Sequence, residues 1–95
     1  MKTVSWKELP NNIYVTDLFI ETSKGMERIM KFAHIFKKNH ILLLSECSQL
    51  EIGEDGNPKI LAIFEIPFEY IEFLRFDDPS YRHFDTIILS PKINL

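Results

Sequence analysis

Apolar and polar positions divide the chain into short segments that are separated by turn residues. Residues 13–20 are rich in β-branched and aromatic side chains, which favours a strand. Apolar runs at 40–44 and 60–66 predict two further strands, and residues 86–89 predict a last one. The run at 60–66 is apolar on both faces, which is typical of a central strand that is covered on each side.

Residues 26–38 have the clearest helical periodicity in the chain. At 100° per residue, one side collects the apolar residues Met26, Ile29, Met30, Phe32, Ala33 and Phe36. This spacing predicts an amphipathic helix. The alternative is a strand that follows a hairpin turn at Lys24-Gly25. It ranks second because it would put Arg28 on the same face as Met30 and Phe36.

Residues 68–76 predict a second, shorter helix. Glu69, Glu72 and Arg75 recur at every third position, and Pro67 suits the first position of a helix. An outward-facing strand is the alternative here as well.

Two local motifs predict turns. Ser5 and Glu8 have the spacing of a capping box, and Pro10 limits that element to a single turn. The Asp55-Gly56 pair favours a β-hairpin, because glycine readily adopts the positive φ angles that such a turn needs.

The predicted order of elements is β-α-β-β-α-β, within one domain that spans residues 1–95. This order indicates an α+β fold, an antiparallel sheet with two helices on one face, which is the ferredoxin-like pattern. Residues 1–12 are expected to form an N-terminal arm and residues 91–95 a C-terminal tail. The alternative fold is a small all-β barrel in which both helical segments are strands.

Composition indicates a soluble globular chain. Of the 95 residues, 45% are hydrophobic and 26% are charged, and the longest aliphatic run, residues 41–44, is far too short for a membrane helix. The N-terminus has no apolar segment typical of a secretory signal. The single cysteine, Cys47, excludes an internal disulfide, so we expect a cytoplasmic protein.

Motifs for catalysis are absent from the sequence. The three glycines form no phosphate-binding loop, and a single cysteine cannot supply a CxxC zinc site. The positions of His34, His40 and His83 in the sequence do not place any two of them close together for acid–base catalysis. We therefore predict a non-catalytic protein without cofactor or metal. A minimal metal- or histidine-dependent hydrolase that uses Asp78 and His83 is the third hypothesis.

Charge is distributed unevenly. Residues 1–45 carry 7 basic and 4 acidic residues, a sum of +3, whereas residues 46–95 carry 4 basic and 10 acidic residues, a sum of −6. The proposed acidic contact surface comprises Glu54, Asp55, Glu69, Glu72, Asp77 and Asp78. The proposed apolar anchors are Trp6, Tyr70 and Tyr81; Trp6 alternatively packs the arm onto the body.

These features predict a small protein-binding module, that is, an inhibitor, adaptor or subunit that binds through its acidic surface. The partner is another protein, including one that itself binds nucleic acid. A homodimer fits the opposite charges of the two halves. The alternative is a nucleic-acid-associated module with a basic stripe along the first helix, formed by Lys24, Arg28, Lys31 and Lys38.

Overall fold

The computed structural model describes residues 2–76 and 83–92, which are almost entirely β. The strands are β1 (Lys2–Thr3), β2 (Asn12–Thr22), β3 (Gly25–Lys38), β4 (Ile41–Ile52), β5 (Pro58–Pro67), β6 (Ile71–Phe76) and β7 (His83–Pro91), with a 3₁₀ helix at Phe68–Tyr70 before β6. They form one sheet in the order β1-β6-β7-β2-β3-β4-β5. β2 and β7 are parallel, and all other neighbours are antiparallel. The predicted α+β fold with two helices is therefore wrong.

β3 occupies the segment for which the periodicity predicted the first helix. Its buried residues Met30, Ala33 and Ile35 are spaced by three and then by two. Phe32, between the first two, has a left-handed backbone with a φ of 56°. This irregularity interrupts the two-residue alternation of the strand, so that Met30 and Ala33 join one core. A spacing of three residues is also the helical spacing, which explains the wrong prediction.

The second predicted helix is wrong for the same reason. Only its first turn is helical, at Phe68–Tyr70, and β6 follows. The register of β6 against β7 shifts between Ile71 and Phe73. The buried residues Ile71, Leu74 and Phe76 are again spaced by three and then by two. An irregular strand has thus reproduced the periodicity of a short helix.

The predicted turns are confirmed. In the β4–β5 hairpin, the Gly53 N–H donates to the Asn57 carbonyl at 2.7 Å, and Gly56 has a φ of 82°. In the N-terminal arm, the Ser5 N–H donates to Glu8 Oε1 at 3.2 Å. The Ser5 hydroxyl, which donates to the same oxygen at 2.9 Å, and then this backbone contact hold the pKa of Glu8 below its usual value.

The turn between β3 and β4 lies at Asn39-His40, directly after the segment for which the sequence predicts a helix. Asn39 and His40 have φ angles of 50° and 59°. Two consecutive positive φ angles between antiparallel strands correspond to the two-residue hairpin turn for which asparagine is favoured at the first position. The sequence signal was present, since asparagine adopts this conformation more readily than most residues.

The hydrophobic core is one cluster of buried residues drawn from the N-terminal segment and from most of the strands. It comprises Val4, Leu9, Ile13, Val15, Leu18, Met30, Ala33, Ile35, Leu42, Leu44, Ile71, Leu74, Phe76, Phe84, Ile87 and Leu89. The N-terminal arm closes one end of this core, with Trp6 packed against Phe68 at 4.7 Å and His40 at 5.0 Å between ring centroids. Among the described residues the sheet is open, with β1 and β5 as its two edges, so the barrel alternative is wrong about closure although it was right that both segments are strands.

Candidate functional site

β5 lies at the edge of the sheet, although its sequence is that of a central strand. It pairs with β4 on one side and, within the described residues, with no strand on the other. Its large apolar residues are about half exposed on both faces: Ile60 53%, Leu61 57%, Ile63 56% and Phe64 58%. The predicted central position is therefore wrong. A long apolar edge strand is a template for pairing with another chain, which makes β5 the first candidate site.

The hydrogen-bond pattern shows which backbone groups of β5 point outward. The Phe68 N–H donates to the His40 carbonyl at 2.7 Å and continues the β4–β5 ladder. Because antiparallel strands bond at alternate residues, the amides and carbonyls of Ile63 and Glu65 face away from β4. Pro67 occupies the next outward position, where its missing N–H leaves the ladder intact. The outer edge therefore offers two N–H donors and the matching carbonyls.

A bulge limits the regular part of this edge. Ala62 is opposite Glu46, and the next pair joins Ile60 with Cys47, so Leu61 is an extra residue in β5. Between this bulge and Pro67, residues 62–66 are consequently the regular edge segment. Bulges of this kind restrict uncontrolled pairing at sheet edges.

Beyond the bulge, residues 47–61 form a hairpin that we call the arm. Between the pairs Cys47–Ile60 and Ile52–Pro58, its first strand contains more residues than its second. The hydroxyl of Ser48 accepts hydrogen bonds from the N–H groups of these extra residues, Leu50 at 3.2 Å and Glu51 at 3.0 Å. Leu50 is 95% exposed and Ile52 is 73% exposed. The arm thus extends the exposed apolar surface of β5.

Glu46 fixes the base of the arm. The β3–β4 ladder ends where Ala33 is opposite Glu46. There, the Glu46 carboxylate accepts the Lys31 backbone N–H at 2.8 Å, beyond the end of the β4 ladder, while Lys31 remains opposite Asp17 of β2. Glu46 therefore has a structural role at the point where the two strands separate.

A row of polar and aromatic side chains crosses four strands of the sheet near the arm. His83, Tyr14, His34 and Ser45 lie opposite one another on four neighbouring strands. The rings of Tyr14 and His34 stack at 4.9 Å, and His34 Nε2 lies 2.9 Å from Asn12 Oδ1. Burial lowers the pKa of His34.

A cavity of about 330 Å³ lies between this row and the arm. Its lining includes Tyr14, Phe32, Cys47, Pro58 and His83. Cys47 is half-buried, and its thiol lies 3.8 Å from the Ser45 carbonyl. This lining is mostly apolar and shows no pair of groups placed for proton transfer among the described residues.

The predicted acidic surface is divided between two places. Glu54 and Asp55 are at the tip of the arm. The Asp55 carboxylate accepts hydrogen bonds from the side chain of Asn57 at 3.2 Å and from its backbone N–H at 3.1 Å. Both contacts lower the pKa of Asp55, the side-chain contact more strongly. Glu69 and Glu72 follow the other end of β5, roughly 30 Å away for a ten-residue strand. Asp77 and Asp78 lie outside the described residues.

The predicted anchors also differ in their placement. Trp6 is half-buried where the N-terminal arm packs on the core, and the Lys37 ammonium lies 5.2 Å from the centroid of its ring. Tyr70 is 53% exposed at the end of the 3₁₀ helix. Tyr81 lies outside the described residues.

The predicted basic stripe is spread along β3 instead of one face of a helix. Lys24 is in the β2–β3 turn and Lys38 is at the opposite end of the strand. Arg28 pairs with Asp17 at 3.1 Å. The Lys31 ammonium lies 5.5 Å from the centroid of the Phe32 ring. The structure does not bring these four cations together.

The hydrolase hypothesis requires His83 and Asp78, of which the structure describes His83. Among the described residues, no cluster of three or more His, Cys, Asp or Glu could hold a metal ion. His83 Nε2 lies 3.4 Å from the hydroxyl of Thr16. Its proposed partner Asp78 is not among the described residues.

Comparisons with protein-family models, with curated proteins and with solved structures find no match to this chain. In the described part of the chain, no helix has the length and hydrophobicity to cross a membrane. The geometry of β5 and the arm is therefore the basis for a functional proposal.

Proposed function

We propose that the chain is a small non-catalytic protein-binding module that takes up an extended strand of a partner protein along β5. The observation that carries this proposal is the mismatch between the sequence of β5 and its position. A strand with apolar residues on both faces, such as Ile63 and Phe64, lies at a sheet edge with both faces half exposed.

Strand addition would satisfy the two kinds of group that β5 leaves exposed. The outward amides and carbonyls of Ile63 and Glu65 would bond to the added strand, as in other cases of β-augmentation. The apolar side chains on both faces would be covered. Completing the burial of one half-exposed Ile, Leu or Phe contributes about 1 kcal/mol.

The arm would add specificity. Leu50 and Ile52 extend the apolar surface beyond the regular segment. Glu54 and Asp55 place negative charge at its tip, which favours a partner segment with basic residues beside its strand. The acidic contact predicted from the sequence is thereby retained for the arm alone.

The experiment compares capture of proteins by the tagged wild-type chain and two variants. Ile63→Lys places a charge on an exposed face of β5, at a residue whose amide faces outward, whereas Met26→Lys makes the same kind of change at a residue that is 58% exposed in the distant β2–β3 hairpin. A captured protein is then purified and titrated calorimetrically. Hydrogen exchange is measured at the Ile63 and Glu65 amides in the complex.

We expect Ile63→Lys to weaken binding at least tenfold and Met26→Lys to leave it unchanged. Both edge amides should become protected. The proposal is overturned if both variants bind like the wild type, or if protection appears away from β5. Loss of binding with Lys31→Glu and steep dependence on salt would instead support a nucleic-acid partner.

A further inference from the structure

We infer that the strand added to β5 is β5 of a second copy of this chain, in an antiparallel dimer with its twofold axis at Phe64. This inference rests on the proposed function and names its partner. A twofold pair of identical strands is self-complementary, because each contact between two residues occurs twice.

The regular edge segment selects this register. Leu61 is a bulge residue and Pro67 lacks an N–H, so the pairs must fall within residues 62–66. Only a pairing centred on Phe64 keeps all five of these residues opposite one another. Ala62 is then opposite Ile66, and Phe64 is opposite its own copy.

This register also matches the backbone groups. Ile63 is opposite Glu65 of the second copy, and these are the residues whose amides and carbonyls face outward. The two symmetric pairs form about four hydrogen bonds. Phe64 falls at a non-hydrogen-bonded position, where opposite side chains approach most closely. The small side chain of Ala62 leaves room for Ile66.

Charge supports the antiparallel arrangement. Lys59 lies five residues before Phe64, and Glu69 lies five residues after it. A twofold axis at Phe64 therefore brings Lys59 of one copy towards Glu69 of the other. Among the described residues, Lys59 pairs with Glu51 at 3.2 Å, in an exposed contact that is easily exchanged. A parallel arrangement would bring like charges together at both ends.

The exposed apolar area is close to what a dimer needs. On the β5 side of the molecule, seven large apolar residues are at least half exposed: Leu50, Ile52, Ile60, Leu61, Ile63, Phe64 and Tyr70. At roughly 100 Å² each they supply about 700 Å² per copy, against about 800 Å² per partner in a standard interface. The antiparallel arrangement places the arm of one copy beside Tyr70 of the other. We therefore expect a reversible dimer that depends on concentration.

The first experiment measures the mass of the purified full chain by sedimentation velocity from about 1 to 200 μM. The wild type should shift from monomer to dimer within this range. Phe64→Lys, which places two like charges at the axis, should weaken the dimer at least 100-fold, whereas Met26→Lys should not change it. Lys59→Glu and Glu69→Lys should each weaken the dimer, and the double variant should recover most of the loss.

The second experiment tests the register by disulfide crosslinking in a Cys47→Ser background. Opposite non-hydrogen-bonded residues have Cα atoms about 4.5 Å apart, within the range of a disulfide. Phe64→Cys should therefore give a covalent dimer under oxidation. Ile63→Cys should not, because its copy lies two residues away along the strand, about 8 Å distant. If the Ile63→Cys variant forms a covalent dimer and the Phe64→Cys variant does not, the register is wrong.

The outcomes separate this inference from the proposed function. A chain that is monomeric throughout this range overturns the dimer. If that monomer still captures another protein and loses it with Ile63→Lys, the proposed function stands. If capture does not respond to Ile63→Lys, both are wrong.

Discussion

Removing the Glu46 carboxylate should destabilise the point where β3 and β4 separate. Glu46→Ala leaves the Lys31 N–H without the acceptor that now lies at 2.8 Å. A hydrogen bond to a charged group contributes about 1.5–3 kcal/mol when buried. Lys31 is exposed, so water partly replaces the lost acceptor and we expect a loss of about 1 kcal/mol. For a chain of this length, that corresponds to a decrease in Tm of about 4–8 °C.

The assay is urea unfolding, followed by circular dichroism, of the wild type, Glu46→Ala and Glu46→Gln. Glu46→Gln retains an oxygen acceptor at the same place and should lose less than half as much free energy of unfolding. Hydrogen exchange at the Lys31 amide should accelerate in Glu46→Ala. Equal stability of all three proteins, with unchanged exchange at Lys31, would refute a structural role for Glu46.

Three further predictions concern pH and backbone conformation. The hydrogen bond from Arg75 at 2.8 Å lowers the pKa of Glu21, so the stabilisation is present above about pH 4.5 and is lost as the pH falls further. Glu21→Gln should therefore flatten acid unfolding curves. Burial lowers the pKa of His34, so the unfolded chain binds more protons below about pH 6.5, and Tm should fall between pH 7 and 5 less steeply in His34→Gln. Asn39→Ala should lose about 1 kcal/mol in urea unfolding because of its φ of 50°, whereas Asn39→Gly should lose none. Equal slopes with pH, or equal losses for the two Asn39 variants, would contradict these explanations.

The boundaries of β5 bear on the assembly of the protein. An exposed apolar edge promotes open-ended association, yet Leu61 and Pro67 confine regular pairing to residues 62–66. A twofold pair would use up this edge on both copies. Within the part of the chain that the structure describes, the remaining edge of each copy would be β1, which has two residues and offers little for a further strand. The expected assembly is therefore a closed dimer instead of a fibre.

The predicted acidic surface shows why the positions of charges along the chain are not enough to define a contact surface. Glu46 was counted with the acidic half of the chain, but its carboxylate binds the Lys31 N–H. Glu54 and Glu69 are near each other in the sequence and are separated by the full length of β5. A list of charges along the chain does not show which of them share a face, since that depends on the pairing of strands.

The sequence by itself determined the capping box, the Asp55-Gly56 hairpin and most of the strands, because these depend on local chemistry. The capping box at Ser5 and the glycine of the β4–β5 hairpin, Gly56, act through neighbouring backbone groups and φ angles. Only the tertiary structure decided between helix and strand at 26–38, because the irregularity at Phe32 gives a strand the spacing of a helix. It also decided that β5 is an edge, since a run of apolar residues records a need for burial on both faces but not the neighbour that provides it.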